Sequence, residues 1–328
     1  NWKNRKATPG QTTEGDWKIG YGMAVGMWTA GRGTASAGIV MHKDGTITVQ
    51  TAMTDIGTGT GTAMQNLAHQ STGIPKERIN VELGNSNLPP APSQGGSTGL
   101  SSLGGAVMEA AKLLKVKLIE YAVLKDATFK DATAEDVELS ATSITHKKNN
   151  RAVTYADLWK ANNLNTIEVE ATSAPGEERQ KFAFASSAAH YCIVRVHSKT
   201  GKVKVDRMVS VADGGTIIND KAAANQMSGA SVGGIGMALI EEQNFDTNLG
   251  SLVGNDFAGY HVAVNADAPI IEVSFIGKPD PNINPQGSKG LGEVGIIGCA
   301  AAISNAIYNA TGKRLRDLPI TPDKVLLG

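Results

Sequence analysis

The sequence predicts an α+β protein of two subdomains, with mixed sheets and packed helices. Three observations carry the prediction. Paired runs of β-type residues meet at tight-turn dipeptides, the pattern of hairpins. Glycine-rich loops lead into segments whose apolar residues recur every three or four positions, the helical period. The first half runs glycine loop, helix and strand, and the second runs hairpin, helix, strand, glycine loop and helix. Hairpins ahead of the helices imply antiparallel pairing, because parallel strands need a crossover, and elements segregated in this way make an α+β class.

Residues 1–20 read as an exposed lead-in, and residues 21–182 as the first subdomain. There ASAGIVMHKDGTITVQTAM is a hairpin turning at Asp44-Gly45. TDIGTGTGTAMQNLAHQSTGIP begins as a glycine-rich turn and becomes a short helix stopped by Gly73 and Pro75. INVELG is a strand, and NSNLPPAPSQGGSTGLSS is a long loop of a length that is usually functional or disordered. It feeds the amphipathic helix LGGAVMEAAKLLKVKLIEYAVLKDA. Residues 126–182 are a more polar excursion, with VELS and TSITH as short strands and Thr154/Asp157 as a capping pair before a helix. ATSAPGEERQKFAF reads as a linker.

Residues 183–328 form the second subdomain. AAHYCIVRVHSKTGKVKVDRMVSVAD is a hairpin turning at Lys199-Thr200-Gly201, DKAAANQMSGASVGGIGMALIEE a helix and PIIEVSFIG a strand. Last comes GSKGLGEVGIIGCAAAISNAIYNATG, read as a glycine loop and then a buried helix from Val294 to Gly312. A lone carboxylate, Glu293, stands at its threshold.

Composition narrows the chemistry. Thirty-one basic residues balance 31 acidic ones, which argues against a general nucleic-acid or polyanion binder. The two cysteines form no CxxC pair and the six histidines no HExxH, so neither a disulfide scaffold nor a protein-ligated metal is expected. No apolar run is long and uninterrupted enough for a membrane span, and the N-terminus lacks the apolar centre of a signal peptide. The 38 glycines exceed the usual share of about 7% and gather in short loops, a sign of close backbone approach.

Three loops are candidate ligand contacts. The first is Gly57, Thr58, Gly59, Thr60, Gly61 and Thr62, the second Ser93, Gln94, Gly95, Gly96 and Ser97, and the third Gly287 to Gly292 with Lys289, Gly290 and Leu291. Helices starting at such loops point free N–H groups outward, which suits phosphate. The bland alternative is ordinary turns. A rival is a nicotinamide-binding unit, weakened because the third glycine of GxGxxG falls at Thr62 and the preceding strand is a hairpin arm. For Glu293 the bland alternative is a first-turn carboxylate complementing the helix dipole, and the chemical one is a base beside a bulky cofactor that the glycines admit.

KGLGEVGIIGCAAAISNAIYNATGKRLRDLPITPDKV resembles the C-terminal end of the molybdenum-binding subunit of the xanthine dehydrogenase / aldehyde oxidoreductase family. DGTITVQTAMTDIGTGTGTAMQ, SQGGSTGLSSLGGAVMEAA, VADGGTIIN and NQMSGASVGGIGMALIEE extend the likeness in the right order. The resemblance implies molybdenum-dependent hydroxylation of an aldehyde or N-heterocycle, with water as the oxygen source. It implies a molybdenum-pterin cofactor, in bacteria usually the cytosine dinucleotide form. The glutamate of G-x-G-E is the family's base, which assigns that role to Glu293. Gly57–Thr62, Gln94–Ser97 and Gln226 fall in segments that line the cofactor, as does the third loop.

The same likeness implies iron–sulfur and FAD partners and an N-terminal half of the molybdenum subunit that this chain lacks. Each subdomain would then contribute to cofactor binding, and the chain alone would fold but be inactive. Where many relatives read V-Q-G-[IL]-G, this chain has Val232-Gly233-Gly234-Ile235-Gly236, with no amide at Gly233. A scaffold domain whose Glu293 merely caps a helix is the rival reading.

Overall fold

The computed structural model describes residues 2–328. In chain order the first part comprises β1 (Thr13–Glu14), β2 (Trp17–Thr29), β3 (Ala35–His42), β4 (Ile47–Thr51), α1 (Thr60–Thr72), β5 (Ile79–Leu83) and α2 (Gly99–Ala122). A middle part follows, with β6 (Val137–Leu139), β7 (Ser143–His146), β8 (Arg151–Thr154), α3 (Tyr155–Asn162), β9 (Thr166–Ser173) and α4 (Glu178–Lys181). The last part holds β10 (Ala185–His197), β11 (Val203–Asp213), α5 (Asp220–Leu239), β12 (Phe245–Asp246), β13 (Ser251–Leu252), β14 (Ile270–Phe275), α6 (Cys299–Thr311) and α7 (Pro322–Leu327).

The first sheet has the order β5-β4-β3-β9. The β3–β4 hairpin turns as expected at Gly45, whose φ is 82°. β4 and β5, however, pair in parallel, from Ile47↔Ile79 to Thr51↔Leu83. The sheet is therefore mixed, as expected: the hairpin is antiparallel, and α1 supplies the crossover that the parallel pair requires. α1 and α2 cover this sheet, placing Met64, Leu67, Leu103, Val107 and Leu114 against Ile39, Met41, Ile47 and Val49. The polar excursion is no separate body. Its β6-β7-β8 sheet and α3 bury Val137, Ile144, Tyr155, Leu158 and Trp159 in the same core, and β9 pairs with β3. The Thr154 cap forms, its Oγ1 accepting from the Asp157 N–H at 3.2 Å. The linker read at 171–184 instead ends β9 and carries the single turn α4.

The second sheet has the order β1-β2-β10-β11-β14, with β11 and β14 parallel. β2 pairs with β10 along its whole length, from Thr29↔Ala185 to Trp17↔His197. The boundary placed between residues 20 and 21 therefore falls inside a strand, and the lead-in supplies part of the second sheet. Long-range pairing of this kind leaves no local mark in the sequence.

α6 lies on β2 at backbone contact. A Cβ on Gly20 would sit 1.9 Å from the Ala306 carbonyl oxygen, and one on Gly22 would sit 2.0 Å from that of Ala302. Gly22→Val should accordingly destabilise the fold by about 3 kcal/mol, the upper end for overpacking. Met23→Val, on the exposed face of the same strand, should stay within about 0.5 kcal/mol. Denaturant midpoints of the two variants decide, and equal midpoints would refute this close packing. Cys192 and Cys299 are buried and free. Burial pushes the Cys192 thiol far up and Cys299 to about 12, so both are inert packing residues. Among the described residues no helix is long and apolar enough to cross a membrane.

Candidate active site

The run after Glu293 is not yet helix. Residues 293–298 form consecutive turns, with Ile296 N–H donating to the Glu293 carbonyl at 3.2 Å and Cys299 N–H to that of Ile296 at 3.2 Å. Gly298 takes φ 94°, and α6 starts only at Cys299. The helix expected from Val294 thus begins later, because Gly295 and Gly298 interrupt the apolar run. A Cβ at Gly295 would meet the Ala230 side chain at 2.8 Å. The first turn of α6 carries no acidic residue, so the helix-dipole account of Glu293 fails, since that effect fades within one turn.

Glu293 instead meets the second loop. Ser97 Oγ donates to its Oε2 at 2.6 Å, and Ser97 adopts φ 61° to do so. Oε2 is the carboxylate oxygen hydrogen-bonded among the described residues. The glycines around it serve this loop–loop contact: a Cβ on Gly290 would lie 1.7 Å from the Ser97 carbonyl oxygen, and one on Gly292 3.1 Å from Ser97 Oγ. They were expected to admit a cofactor, and the nearer demand on both is Ser97.

Other groups fix the third loop. Gln226 Nε2 donates to the Gly292 carbonyl at 2.8 Å, and Ser186 Oγ donates to that of Gly290 at 2.6 Å. Lys289 Nζ donates to Asp213 Oδ2 at 2.7 Å, with its side chain only 8% exposed, so its charge is neutralised within the chain. Asn284 and Gln286 tie the approach to α2 through the Ser101 and Leu100 carbonyls.

The first loop differs from its expected form. Asp55 turns its carboxylate into it and accepts from the N–H groups of Gly57, Gly59 and Gly61 at 3.0, 3.2 and 3.2 Å. Partial burial pushes the Asp55 carboxyl up, but these donors and the Thr60 N–H outweigh it and hold it below the usual carboxylate range. These N–H groups do not point outward for phosphate, because an internal carboxylate has taken that place. This also removes the phosphate seat from the nicotinamide reading. Gln94 bridges the first two loops, donating from Nε2 to Thr60 Oγ1 at 2.9 Å, while its Oε1 is buried and unpartnered.

The loops enclose a cavity of about 290 Å³. Of the residues singled out in the sequence, Thr58, Gly59, Thr60, Gln94, Gly95, Gly96, Ser97, Gln226, Lys289, Gly290, Leu291, Gly292 and Glu293 line it. Gly57, Gly61 and Thr62 do not, and a Cβ on Gly61 would point at Leu83 on the helix's inner side. Gly233 lies against Ile296 rather than on the cavity. Several contributors escaped the sequence reading, among them Ala63 of α1 and Thr98–Ser101 at the start of α2. Asp55 shapes the first loop, Ile56 lines its rim, and the N-terminus of α5 brings Thr216–Asn219, Ala222 and Ala223. The signal for the last was Asn219, an N-cap whose side chain accepts from Ala222 N–H at 3.1 Å.

This lining suits an extended, polar cofactor held largely by backbone and hydroxyl groups. A Cβ on Gly95 would meet no protein atom within 4 Å, so the second loop leaves open space. Gln94 Oε1 is packed against Gly99, where a Cβ would sit 2.1 Å from it, and has no hydrogen-bond partner among the described residues.

The chain matches the molybdopterin cofactor-binding domain family over residues 1–269. It is 39% identical over 325 residues to the aldehyde oxidoreductase molybdenum-binding subunit PaoC of Escherichia coli (strain K12), covering 99% of this chain and 43% of that one. It is 31% identical over 300 residues to the nicotine 6-hydroxylase large subunit of Paenarthrobacter nicotinovorans, covering 89% and 36%. Quinoline 2-oxidoreductase from Pseudomonas putida 86 shares the fold with a TM-score of 0.82 at 22% identity, over 94% of this chain and 42% of that one. The chain therefore spans less than half the length of these relatives. With this domain match over most of its length and these relatives, the chain belongs to the xanthine dehydrogenase / aldehyde oxidoreductase family as part of a molybdopterin-binding subunit.

Proposed function

We propose that this chain forms one wall of the molybdenum-pterin site of an oxidoreductase that hydroxylates aldehydes with oxygen from water. The cofactor is assigned the cytosine dinucleotide form. Turnover requires the remainder of the molybdenum subunit together with iron–sulfur and FAD partners. The observation that carries this reading is the Glu293 carboxylate. It stands on the cavity with Oε2 held by Ser97 at 2.6 Å, leaving its other oxygen for a proton. The aldehyde assignment leans on the 39% identity to the E. coli aldehyde oxidoreductase subunit. The nicotine 6-hydroxylase likeness, at 31%, favours an N-heterocycle as the second reading.

The bound cofactor supplies the two-electron oxidation. This chain's own residues do the rest. Thr58, Thr60, Gln94 and Gly95–Ser97 hold the group along the first two loops, with Gln226 and Gly290–Gly292 on the other side. Glu293 accepts the proton released as the substrate gains oxygen. Ser97 keeps the carboxylate turned inward, a fixed orientation of the kind that lowers a barrier by removing reorganisation.

The complete assembly containing this chain should carry molybdenum and a pterin nucleotide and oxidise an aldehyde with an artificial acceptor, incorporating label from ¹⁸O-water. An assembly free of molybdenum would support the scaffold reading instead. Turnover of N-heterocycles in place of aldehydes would favour the second reading.

A further inference from the structure

The Ser97–Glu293 bond joins two loops that are anchored to different parts of the molecule. The third loop is fastened to the second sheet and α5 through Ser186, Asp213 and Gln226. The second loop runs straight into α2, where Ser102 N–H donates to the Thr98 carbonyl at 3.0 Å. Asn284 touches both sides. It is buried, in a turn closed by Gly287 N–H donating to the Asn284 carbonyl at 3.0 Å. Its Nδ2 donates to the Ser101 carbonyl at 3.3 Å and to the Ser288 carbonyl at 2.7 Å, and its Oδ1 accepts from Ser288 N–H at 3.0 Å. One amide thus spends both protons and an acceptor position on two separate stretches of backbone. Ser101 follows Ser97 by four residues, Ser288 precedes Glu293 by five, and both line the cavity.

The chemistry fixes which way this amide points. Carbonyl oxygens only accept and a backbone N–H only donates, so the nitrogen faces the two carbonyls and the oxygen faces Ser288 N–H. Gln286 adds a second donor, from Nε2 to the Leu100 carbonyl at 3.1 Å. Glycines of α2 make the room. A Cβ on Gly104 would lie 2.4 Å from Gln286 Nε2, and one on Gly105 would lie 3.4 Å from Pro285 Cδ. Residues 284–286 therefore sit in a notch of that helix.

We propose that Asn284, with Gln286 beside it, is a positioning latch for Glu293: it sets the third loop against the first turn of α2, and so sets how Glu293 meets Ser97. The proposal rests on the reading of Glu293 as the base. Ser186, Asp213 and Gln226 cannot do this, because they hold the third loop to the second sheet and α5. Without the Asn284 amide, Ser288 N–H and its carbonyl both lose this partner. An unpaired buried backbone group is costly, which drives the loop to shift toward water or another partner. The Ser97–Glu293 bond would then have to hold the two loops in register without the latch.

The test uses the cofactor-loaded assembly with Asn284→Ala, Gln286→Met and Ser97→Ala, each latch variant also combined with Ser97→Ala, and Glu293→Gln as reference. A misplacement of about 1 Å costs roughly 10²-fold in rate. Asn284→Ala should therefore lower kcat about 10²-fold, with KM and molybdenum content unchanged. Residues that act through one contact are not additive, so Asn284→Ala with Ser97→Ala should lose about as much as the worse of the two alone. Gln286→Met keeps the shape and loses the donor to α2. It should show a smaller loss with the same non-additivity, and it carries the test should Asn284→Ala not fold. Amide exchange followed by mass spectrometry should quicken over residues 287–293 in Asn284→Ala. Losses that multiply with Ser97→Ala would overturn the proposal, as would unchanged exchange, near-normal kcat, or a loss of molybdenum that parallels the loss of rate. Normal turnover in Glu293→Gln would sink the base reading alone, because exchange would still report whether Asn284 holds the loop.

Discussion

Glu293→Gln should abolish most turnover of the loaded assembly while leaving its molybdenum and pterin content intact. The substitution preserves shape, and Ser97 Oγ, 2.6 Å from Oε2 in the native chain, can still donate to the amide oxygen. The loop geometry should therefore survive. What is lost is the capacity to accept a proton, because an amide is not a base at neutral pH. General-base catalysis is worth roughly 10²–10⁴-fold, so kcat should fall within or beyond that range with little change in KM. The dipole account would instead predict a stability loss of about 1 kcal/mol or less and a near-normal rate. That account already lacks its premise, since α6 begins at Cys299 with no acidic residue in its first turn. Steady-state kinetics beside metal analysis decide, and near-normal kcat in fully loaded protein would sink the catalytic assignment.

The parts of this molecule that could be read from the sequence are those set by local chemistry. Gly73 and Gly312 end α1 and α6 with φ of 92° and 81°, where only glycine enters the left-handed region without strain. The Asp44-Gly45 turn and the Thr154 cap are likewise properties of a few consecutive residues. Pairing across long separations was not readable. Nothing local in Trp17–Thr29 says that its partner is β10, and nothing in the β3–β4 hairpin says that β4 will also pair in parallel with β5. Class and mixed sheets were legible, but the strand neighbours were not.

The candidate site divides in the same way. Spacing identified the three glycine loops and Glu293, and the structure brings them to one cavity. The reasons for the glycines were only partly visible. Gly59, Gly95 and Gly96 face the cavity, whereas Gly290 and Gly292 are constrained by Ser97. Asp55 stood in the quoted run TDIGTG, but only a folded turn shows its carboxylate collecting three successive glycine N–H groups. The delayed start of α6 did have a sequence signal. Gly295 and Gly298 are breakers within the run of apolar and small residues that suggests a helix from Val294.

Gly290→Ala should do nearly as much damage as loss of the base, by geometry alone. The added Cβ would stand 1.7 Å from the Ser97 carbonyl oxygen and 2.7 Å from its carbonyl carbon. Both are backbone atoms that no rotamer can move, so one of the two loops must retreat by more than an ångström to reach ordinary contact. Ser97 then withdraws from Glu293, and the Ser186 bond to the Gly290 carbonyl is disturbed as well. Overpacking of this kind costs about 1–3 kcal/mol in stability, and an ångström of misplacement roughly 10²-fold in rate. The stability loss should appear whether or not cofactor is bound, because the clash is within the chain. Gly95→Ala is the counterpart. Its Cβ would meet no protein atom within 4 Å, so cofactor-free protein should melt normally, and only cofactor content should fall if that space is the cradle. Thermal melts of cofactor-free protein and molybdenum content of loaded protein, measured on both variants, separate the two effects. A Gly290→Ala protein that melts and turns over normally would show that the second and third loops do not meet as described. Full molybdenum content in Gly95→Ala would show that the open space at Gly95 is not where the cofactor lies.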